Sequence, residues 1–146
     1  MPDIPEPIRI VAAVISDANG RVLLVRKRGS ATFIQPGGKR EPDEDALTTL
    51  ARELLEELGV NVIEGSANRL GEFEDSAVNE PGRRVCAEAY AVEIVGTPAP
   101  RAEIVELAWI DVDAAIRGAP DAPDVAPLSA RHILPAWRGT RRRAVL

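Results

Sequence analysis

The chain has 146 residues, of which 45% are hydrophobic and 28% are charged, and its formal net charge is -5. This length predicts one domain, residues 1–146, that is large enough to bury a single core. The negative charge argues against broad nucleic-acid binding, and no apolar run approaches the roughly 20 residues that cross a bilayer.

Cysteine content and the two ends of the chain bear on its compartment. Cys86 is the only cysteine, so no internal disulfide can form, and we expect it to lie in the core. The N-terminus lacks the charged and apolar pattern of a secretory signal, which favours the cytoplasm. We expect the basic C-terminus to be a solvated tail. Its arginines are Arg138, Arg141, Arg142 and Arg143.

The first elements in chain order are strands separated by turn residues. Residues 8–16 are rich in Val, Ile and Ala and predict a strand, and residues 17–20 supply a turn. Residues 22–25 predict a second strand, antiparallel to the first. Residues 32–34 are a short strand candidate. Residues 36–38, Pro-Gly-Gly, predict a loop whose glycines permit close approach of a ligand to the backbone.

A helix is predicted over residues 45–58, because leucines recur at spacings of three and four and form one apolar stripe. Glu44 is placed in its first turn, where a carboxylate would stabilise the helix dipole or serve function, and Gly59 ends it. The stripe consists of Leu47, Leu50, Leu54 and Leu58.

Further strands are predicted over residues 61–73, 85–95 and 106–110, separated by polar turns. A short helix is expected over residues 128–134, ended by Pro135. One long helix among many strands predicts an α/β fold with a mixed sheet.

Three carboxylates, Glu53, Glu56 and Glu57, lie at spacings of three and four, so they share a face of the predicted helix away from the leucines. Like charges at these spacings destabilise a helix by roughly 0.2–0.5 kcal/mol per pair. A solvated acidic face is the ordinary interpretation. A hard cation such as Mg²⁺, which prefers oxygen ligands, is the alternative, and the adjacent glycine loop favours it.

The same segment resembles the signature of a known family. Gly38, Glu44 and the run Arg52 to Val60, which includes Glu53, Glu56, Glu57 and Gly59, match every fixed position of the Nudix box at its spacing. Asp43 departs from the pattern, because many members carry glycine there. The resemblance implies an α/β/α sandwich with a mixed sheet, and hydrolysis of a nucleoside diphosphate linked to another group.

The resemblance also implies roles for individual residues. Glu53, Glu56, Glu57 and the carbonyl of Gly37 would bind the metal, Mg²⁺ with Mn²⁺ as the alternative. Arg52 would hold a catalytic glutamate by a charge-assisted bond. The general base is either Glu53, which we favour, or Glu103 on a later loop, where an exposed structural carboxylate is an equal interpretation.

The substrate is less defined by the sequence. A nucleoside triphosphate, ordinary or oxidised, is favoured, and ADP-ribose is the alternative. Arg26, Phe33, Lys39 and Tyr90 are the substrate-binding candidates, although each is also an ordinary surface or core residue. His132 is expected to be a packing or surface residue.

Two further expectations concern function and assembly. A Nudix domain that senses a nucleotide without cutting it is the alternative to an enzyme. The expected partners are a small nucleotide, neither nucleic acid nor membrane, and a second copy of the chain in a homodimer.

Overall fold

The structure is a computed structural model that describes residues 5–145, with side chains as far as Arg141. Its strands in chain order are β1 (Ile8–Val14), β2 (Val22–Lys27), β3 (Gly37–Lys39), β4 (Asn61–Val62), β5 (Asn68–Ser76), β6 (Arg84–Ala91), β7 (Ile94–Val95) and β8 (Ile104–Ile110). Its helices are α1 (Ala46–Leu58), α2 (Val112–Arg117) and α3 (Leu134–Val145), and α3 continues a π-helical segment, Leu128–Ile133.

The largest sheet has the strand order β3-β1-β6-β5. β1 and β6 are parallel, whereas β1 with β3 and β5 with β6 are antiparallel, so the predicted mixed sheet is confirmed. Strand β2 pairs with β8, and β4 pairs with β7, each antiparallel. No helix among the described residues is long and apolar enough to cross a membrane.

Alternation along β1 divides the core into two layers. Val11 and Ala13 pack in a cluster with Leu54 of α1. Ala12 and Val14 face the other way, into a cluster that includes Trp137 of α3. Helices therefore cover both faces of the sheet, which confirms the α/β/α sandwich.

The predicted antiparallel pairing of β2 with the first strand is confirmed only next to the turn, where Ser16 bridges Val22 and the Leu23 amide donates to the Ile15 carbonyl at 2.9 Å. Along its length β2 pairs with β8 rather than with β1. Its residues Val22 to Val25 alternate between the two core clusters and are all buried. A strand buried on both faces reads as a continuous apolar run, which gives no sign of its partner.

Helix α1 begins and ends as its sequence predicts. The Asp45 carboxylate caps it by accepting a 2.8 Å bond from the Thr48 amide, and Gly59 ends it with φ 70°. The predicted stripe was too wide, because Leu47 is 49% exposed and Ala46 is buried in its place. Full burial of a leucine such as Leu54 contributes about 1.5–3 kcal/mol.

Two predictions around the glycine loop were wrong. Residues 32–34 form only isolated bridges, Val25 with Ile34 and Phe33 with Val125, rather than a strand. The strand is instead β3, which begins at Gly37 within the predicted loop. A Cβ atom at Gly37 would clash with the Val11 carbonyl oxygen, so glycine lets this strand lie against β1.

The two long strands predicted over residues 61–73 and 85–95 are each interrupted. The first divides into β4 and β5, and the second into β6 and β7. The short strands β4 and β7 form a separate ribbon, in which the Ile63 amide donates to the Glu93 carbonyl at 2.9 Å. Composition does not reveal this change of partner, since all four segments suit strands.

The C-terminal prediction was also wrong, because Pro135 does not end the helix: α3 begins at Leu134, directly after the π-helical segment, and continues through Pro135. The arginines are not a free tail: Arg138 donates to Asp113 at 2.8 Å, and Arg141 lies 5.5 Å from the Trp137 ring centroid. The side chains of the remaining two, Arg142 and Arg143, lie outside the described residues.

Candidate active site

A cavity of about 480 Å³ is lined by α1, β1, β3 and the segments after β5 and before α3. We call its wall at Glu53, Glu56 and Glu57 the carboxylate end. Its other wall, the apolar end, lies on the face of the sheet opposite α1, where the even residues of β1 point. The apolar end consists of Ile8, Ile10, Val78, Val85 and Leu128.

Glu57 is the buried member of the three carboxylates, at 7% exposed. Burial, followed by the neighbouring Glu53 carboxylate, raises the pKa of Glu57 to about 8. The Gly37 amide donates to its Oε1 atom at 3.3 Å. Positive charge beside Glu57 would therefore favour its ionised form.

Glu53 is held from two sides. The Arg52 guanidinium donates from Nη1 to its Oε1 atom at 2.9 Å. On the opposite side, a Cβ atom at Gly38 would clash with the Glu53 carboxylate. Glycine at this position therefore provides the space in which the carboxylate lies.

Arg52 ties α1 to the segment before it. Its Nε and Nη2 atoms donate to the two oxygens of Glu44 at 2.8 and 2.9 Å, and Nη2 also donates to the Lys39 carbonyl. The Thr49 hydroxyl donates to Glu44 as well, at 2.6 Å. The bond from Arg52, above all, holds the pKa of Glu44 far below its usual value. This fork fixes the guanidinium that orients Glu53.

The predicted place of Glu44 in the first helical turn was wrong. Asp45 is the N-cap, so Glu44 precedes the helix, and the first turn contains no acidic residue. The carboxylate turns back toward Arg52 and accepts a bond from the Glu41 amide at 3.0 Å. It therefore anchors the loop rather than stabilising the helix dipole.

Comparisons with known proteins identify this arrangement. The model of the NUDIX domain matches residues 6–132. The chain belongs to the Nudix hydrolase family. A "MutT-like protein" of Streptomyces ambofaciens is 42% identical over 52 residues, 36% of this chain and 34% of that protein. The match thus spans about a third of that relative's length.

Solved structures share the fold over most of the chain. The E. coli ORF135 protein is 28% identical, with a TM-score of 0.73 over 93% of this chain and 91% of that one. An ADP-ribose pyrophosphatase from Streptococcus suis has a TM-score of 0.67 at 21% identity, covering 93% of each chain. The second likeness concerns the Nudix fold alone.

Nudix hydrolases generally use divalent metal ions, and the carboxylate end has suitable chemistry for one. Its candidate ligands are oxygens, and the buried Glu57 carboxylate lies beside Glu53, so a cation between them would offset their repulsion. Among the described residues, however, no three acidic, histidine or cysteine side chains form a ready ion-binding group. Glu56 is 55% exposed and lies 3.7 Å from Arg52, so it must reorient to join the other two.

Of the other predicted residues, Lys39 and Glu103 line the cavity. The side chain of Glu103 is 76% exposed and lies 3.9 Å from the Lys27 ammonium, which also lines the cavity. Arg26 and Phe33 line a separate cavity. There Arg26 donates to Glu106 at 2.8 Å.

The fold thus does not bring three of the predicted substrate-binding residues to the carboxylates, namely Arg26, Phe33 and Tyr90. The Tyr90 hydroxyl instead donates to Glu88 at 2.7 Å. Sequence reasoning missed two buried polar residues of the cavity wall, Gln35 and Ser129. The sequence position of Gln35 could have indicated its place in the cavity wall, because it directly precedes the Pro-Gly-Gly segment that was predicted to approach a ligand.

His132 and Cys86 lie where a packing role predicts. The His132 ring stacks on Phe73 at 6.2 Å between centroids, and its Nε2 atom lies 3.1 Å from Asp75. Cys86 is buried, and its thiol donates to Glu72. Burial, followed by the hydrogen bond to Glu72, raises the pKa of this thiol to about 11.

Proposed function

We propose that the protein is a pyrophosphohydrolase that cleaves a phosphoanhydride bond in a nucleoside diphosphate linked to another group. The observation that carries this proposal is the buried Glu57 carboxylate beside Glu53 at the wall of a substrate-sized cavity. Glu53, Glu56, Glu57 and the Gly37 carbonyl would hold Mg²⁺, with Mn²⁺ as the alternative. A bound divalent cation withdraws charge from the phosphate oxygens.

Glu53 is our choice of general base, which takes the proton from the attacking water. It is oriented by the 2.9 Å bond from Arg52, and positioned bases contribute about 10²–10⁴-fold to a rate. Glu103 is the second choice, because its high exposure and its approach to Lys27 suit a surface ion pair equally well. Glu57, being buried, acts in catalysis by holding positive charge.

The favoured substrate is a nucleoside triphosphate, ordinary or oxidised, which would give a nucleoside monophosphate and diphosphate. Two observations support this choice. Lys27 and Lys39 stand on the cavity wall with the carboxylates, where they can meet phosphates. The apolar end suits a nucleobase. ADP-ribose is the alternative, since a neighbour with that activity shares the fold.

A substrate panel tests the proposal. Purified protein is incubated with Mg²⁺ and nucleoside triphosphates, oxidised triphosphates, ADP-ribose and dinucleoside polyphosphates, and the released products are measured. We expect Glu57→Gln, which alters a proposed metal ligand, to lower kcat/KM by at least the roughly 10–100-fold that follows loss of a group supporting such a ligand, and EDTA to abolish cleavage. Glu64→Gln makes the same change at an exposed glutamate outside the cavity, and should match the wild type.

Tight nucleotide binding without cleavage of any compound would contradict the hydrolase and favour the nucleotide sensor. We also propose a single domain over residues 1–146, location in the cytoplasm and a homodimer. Light scattering of the purified chain measures the last of these directly.

A further inference from the structure

Gln35 is a buried polar residue on the wall of the cavity, at 6% exposed. Its Nε2 atom donates to the Ala13 carbonyl oxygen at 2.8 Å. Its Oε1 atom is buried and has no hydrogen-bond donor among the residues that the structure describes. A residue that lines the cavity thus has a buried amide oxygen without a donor among the described residues.

An unpartnered buried acceptor costs free energy, and an apolar side chain of the same shape would avoid that cost. Other buried polar groups nearby are not left in this state: Thr49, for example, donates to Glu44 at 2.6 Å. Unsatisfied buried groups are rare in native proteins, so each one requires a physical explanation, and a bound ligand is one such explanation. The oxygen of Gln35 is therefore suited to an incoming N–H or O–H group.

The bond to Ala13 decides which atom of the amide is available. Because Nε2 is engaged with a carbonyl of β1, the side chain presents its oxygen rather than its nitrogen as the free group. Such a site accepts a hydrogen bond and rejects a ligand that offers only acceptors at that point.

The rest of the cavity indicates the ligand. Ile10 and Leu128 provide apolar surface, and Ser129 is contributed by the π-helical segment, a conformation that recurs at functional sites. The phosphates belong at the carboxylate end, with the cation. The part of a nucleotide that combines an apolar face with an N–H edge is its base.

We propose that Gln35 is a specificity residue that accepts a hydrogen bond from an N–H group of the substrate's nucleobase. This inference rests on the proposed nucleotide hydrolase and specifies which edge of the nucleobase the protein recognises. Substrates with a ring or exocyclic N–H at that edge are preferred over those in which methyl groups replace every N–H hydrogen there.

The test compares kcat/KM for matched pairs: each nucleoside triphosphate with an analogue whose ring N–H or exocyclic amino group is methylated until no N–H remains, and each ribonucleotide with its 2′-deoxy form. For at least one base, the wild type should prefer the unmethylated compound by about 10-fold or more, the effect of one buried acceptor left unpaired. Gln35→Leu should reduce that preference to about 1, and its rate with ribose 5-triphosphate, which has no base, measures any general effect of the substitution on the site.

Two further variants control this comparison. Val78→Ala trims the apolar end and should weaken both members of a pair equally, so their ratio stays unchanged. Gln35→Met keeps the length of the side chain and replaces Gln35→Leu if that variant does not unfold cooperatively. The proposal is overturned if a folded Gln35 variant keeps the wild-type ratio of kcat/KM between unmethylated and methylated substrates. It is also overturned if the variant keeps that ratio but no longer distinguishes ribonucleotides from 2′-deoxyribonucleotides, since Gln35 would then contact the ribose.

Failure of the proposed hydrolase gives a different result. In that case ribose 5-triphosphate and every nucleotide remain uncleaved by the wild type. Calorimetry in EDTA then measures the dissociation constants of nucleoside diphosphates and of their methylated analogues. The wild type should bind the unmethylated compound more tightly, and Gln35→Leu should bind the two equally. An equal ratio in wild type and variant overturns the role of Gln35 without reference to turnover.

Discussion

The two ends of the cavity are built in different ways. The carboxylate end comes from residues 37–57, close in sequence and fixed by short bonds such as Arg52 to Glu44 at 2.8 Å. The apolar end joins residues near positions 8, 78, 85 and 128, brought together only by the sheet and the π-helical segment. The proposed catalytic residues are thus local in sequence, whereas the wall proposed to contact the rest of the substrate depends on the whole fold.

The largest effect expected from this contrast comes from Gly38→Ala. The new methyl group displaces the Glu53 carboxylate, and misplacement of a catalytic group by about 1 Å can cost about 10²-fold. We expect kcat to fall by about that factor with little loss of stability, because Gly38 has no positive φ. Steady-state kinetics and thermal unfolding measure the two quantities.

A double-mutant cycle shows whether this loss passes through Glu53. In a Glu53→Gln background, Gly38→Ala should cost far less than it does alone. Full additivity of the two losses would mean that the methyl group acts elsewhere, and would weaken the case that the glycine serves the carboxylate.

Arg52→Lys is expected to have the next largest effect. A lysine cannot reproduce the fork that spans both oxygens of Glu44 while also donating to Glu53. Changes in groups that orient metal ligands typically cost about 10–100-fold, and we expect kcat to fall within that range. Arg40→Lys is the matched control, since Arg40 makes a surface ion pair with Glu88. Equal kinetics in both variants would contradict the orienting role.

The sequence predicted the carboxylate end because helical geometry alone places Glu53, Glu56 and Glu57 on one face. Periodicity could not show that Glu57 is the buried member, or that Glu44 turns back to Arg52 instead of beginning the helix, since these depend on the neighbouring loop. Their depth and partners are set by tertiary structure.

The apolar end could not be predicted for a related reason. Phe33 and Tyr90 were selected as rings suited to a base, yet they lie elsewhere, while the wall is made of aliphatic residues. The π-helical segment was also not predicted, because Pro135 suggests the end of a helix, whereas the helix continues through it. The pairing of β2 with β8 depends on how the core is packed. A single apolar run in the sequence does not specify its partner strand.

Asp75→Asn tests what holds the π-helical segment at the apolar end. Burial alone would raise the pKa of Asp75, but bonds from the Ser76 amide and His132, with Arg131 nearby, hold it below its usual value. A carboxylate with a lowered pKa stabilises the fold above its unfolded pKa, near 4, and this contribution is lost as pH falls through the folded value.

We therefore expect Asp75→Asn to lower the free energy of unfolding by about 1–3 kcal/mol at pH 7, and the difference from wild type to shrink below about pH 4. Urea unfolding at several pH values measures this trend. Asp121→Asn, at an exposed aspartate, should show no such loss. A difference that stays constant with pH would show that the charge of Asp75 is not what stabilises the segment.

The smallest expected effect is at Asp43, where many Nudix proteins carry glycine. Asp43 has φ 66°, a left-handed conformation that strains an L-residue, so the family preference has a backbone cause. Asp43→Gly should stabilise the fold by about 0.5 kcal/mol, because relief of strain exceeds the added freedom of the unfolded chain. Asp121→Gly, where φ is not positive, should instead destabilise it. Unfolding by urea decides the sign, and a loss of stability at both positions would mean that local bonds of the Asp43 side chain outweigh the strain.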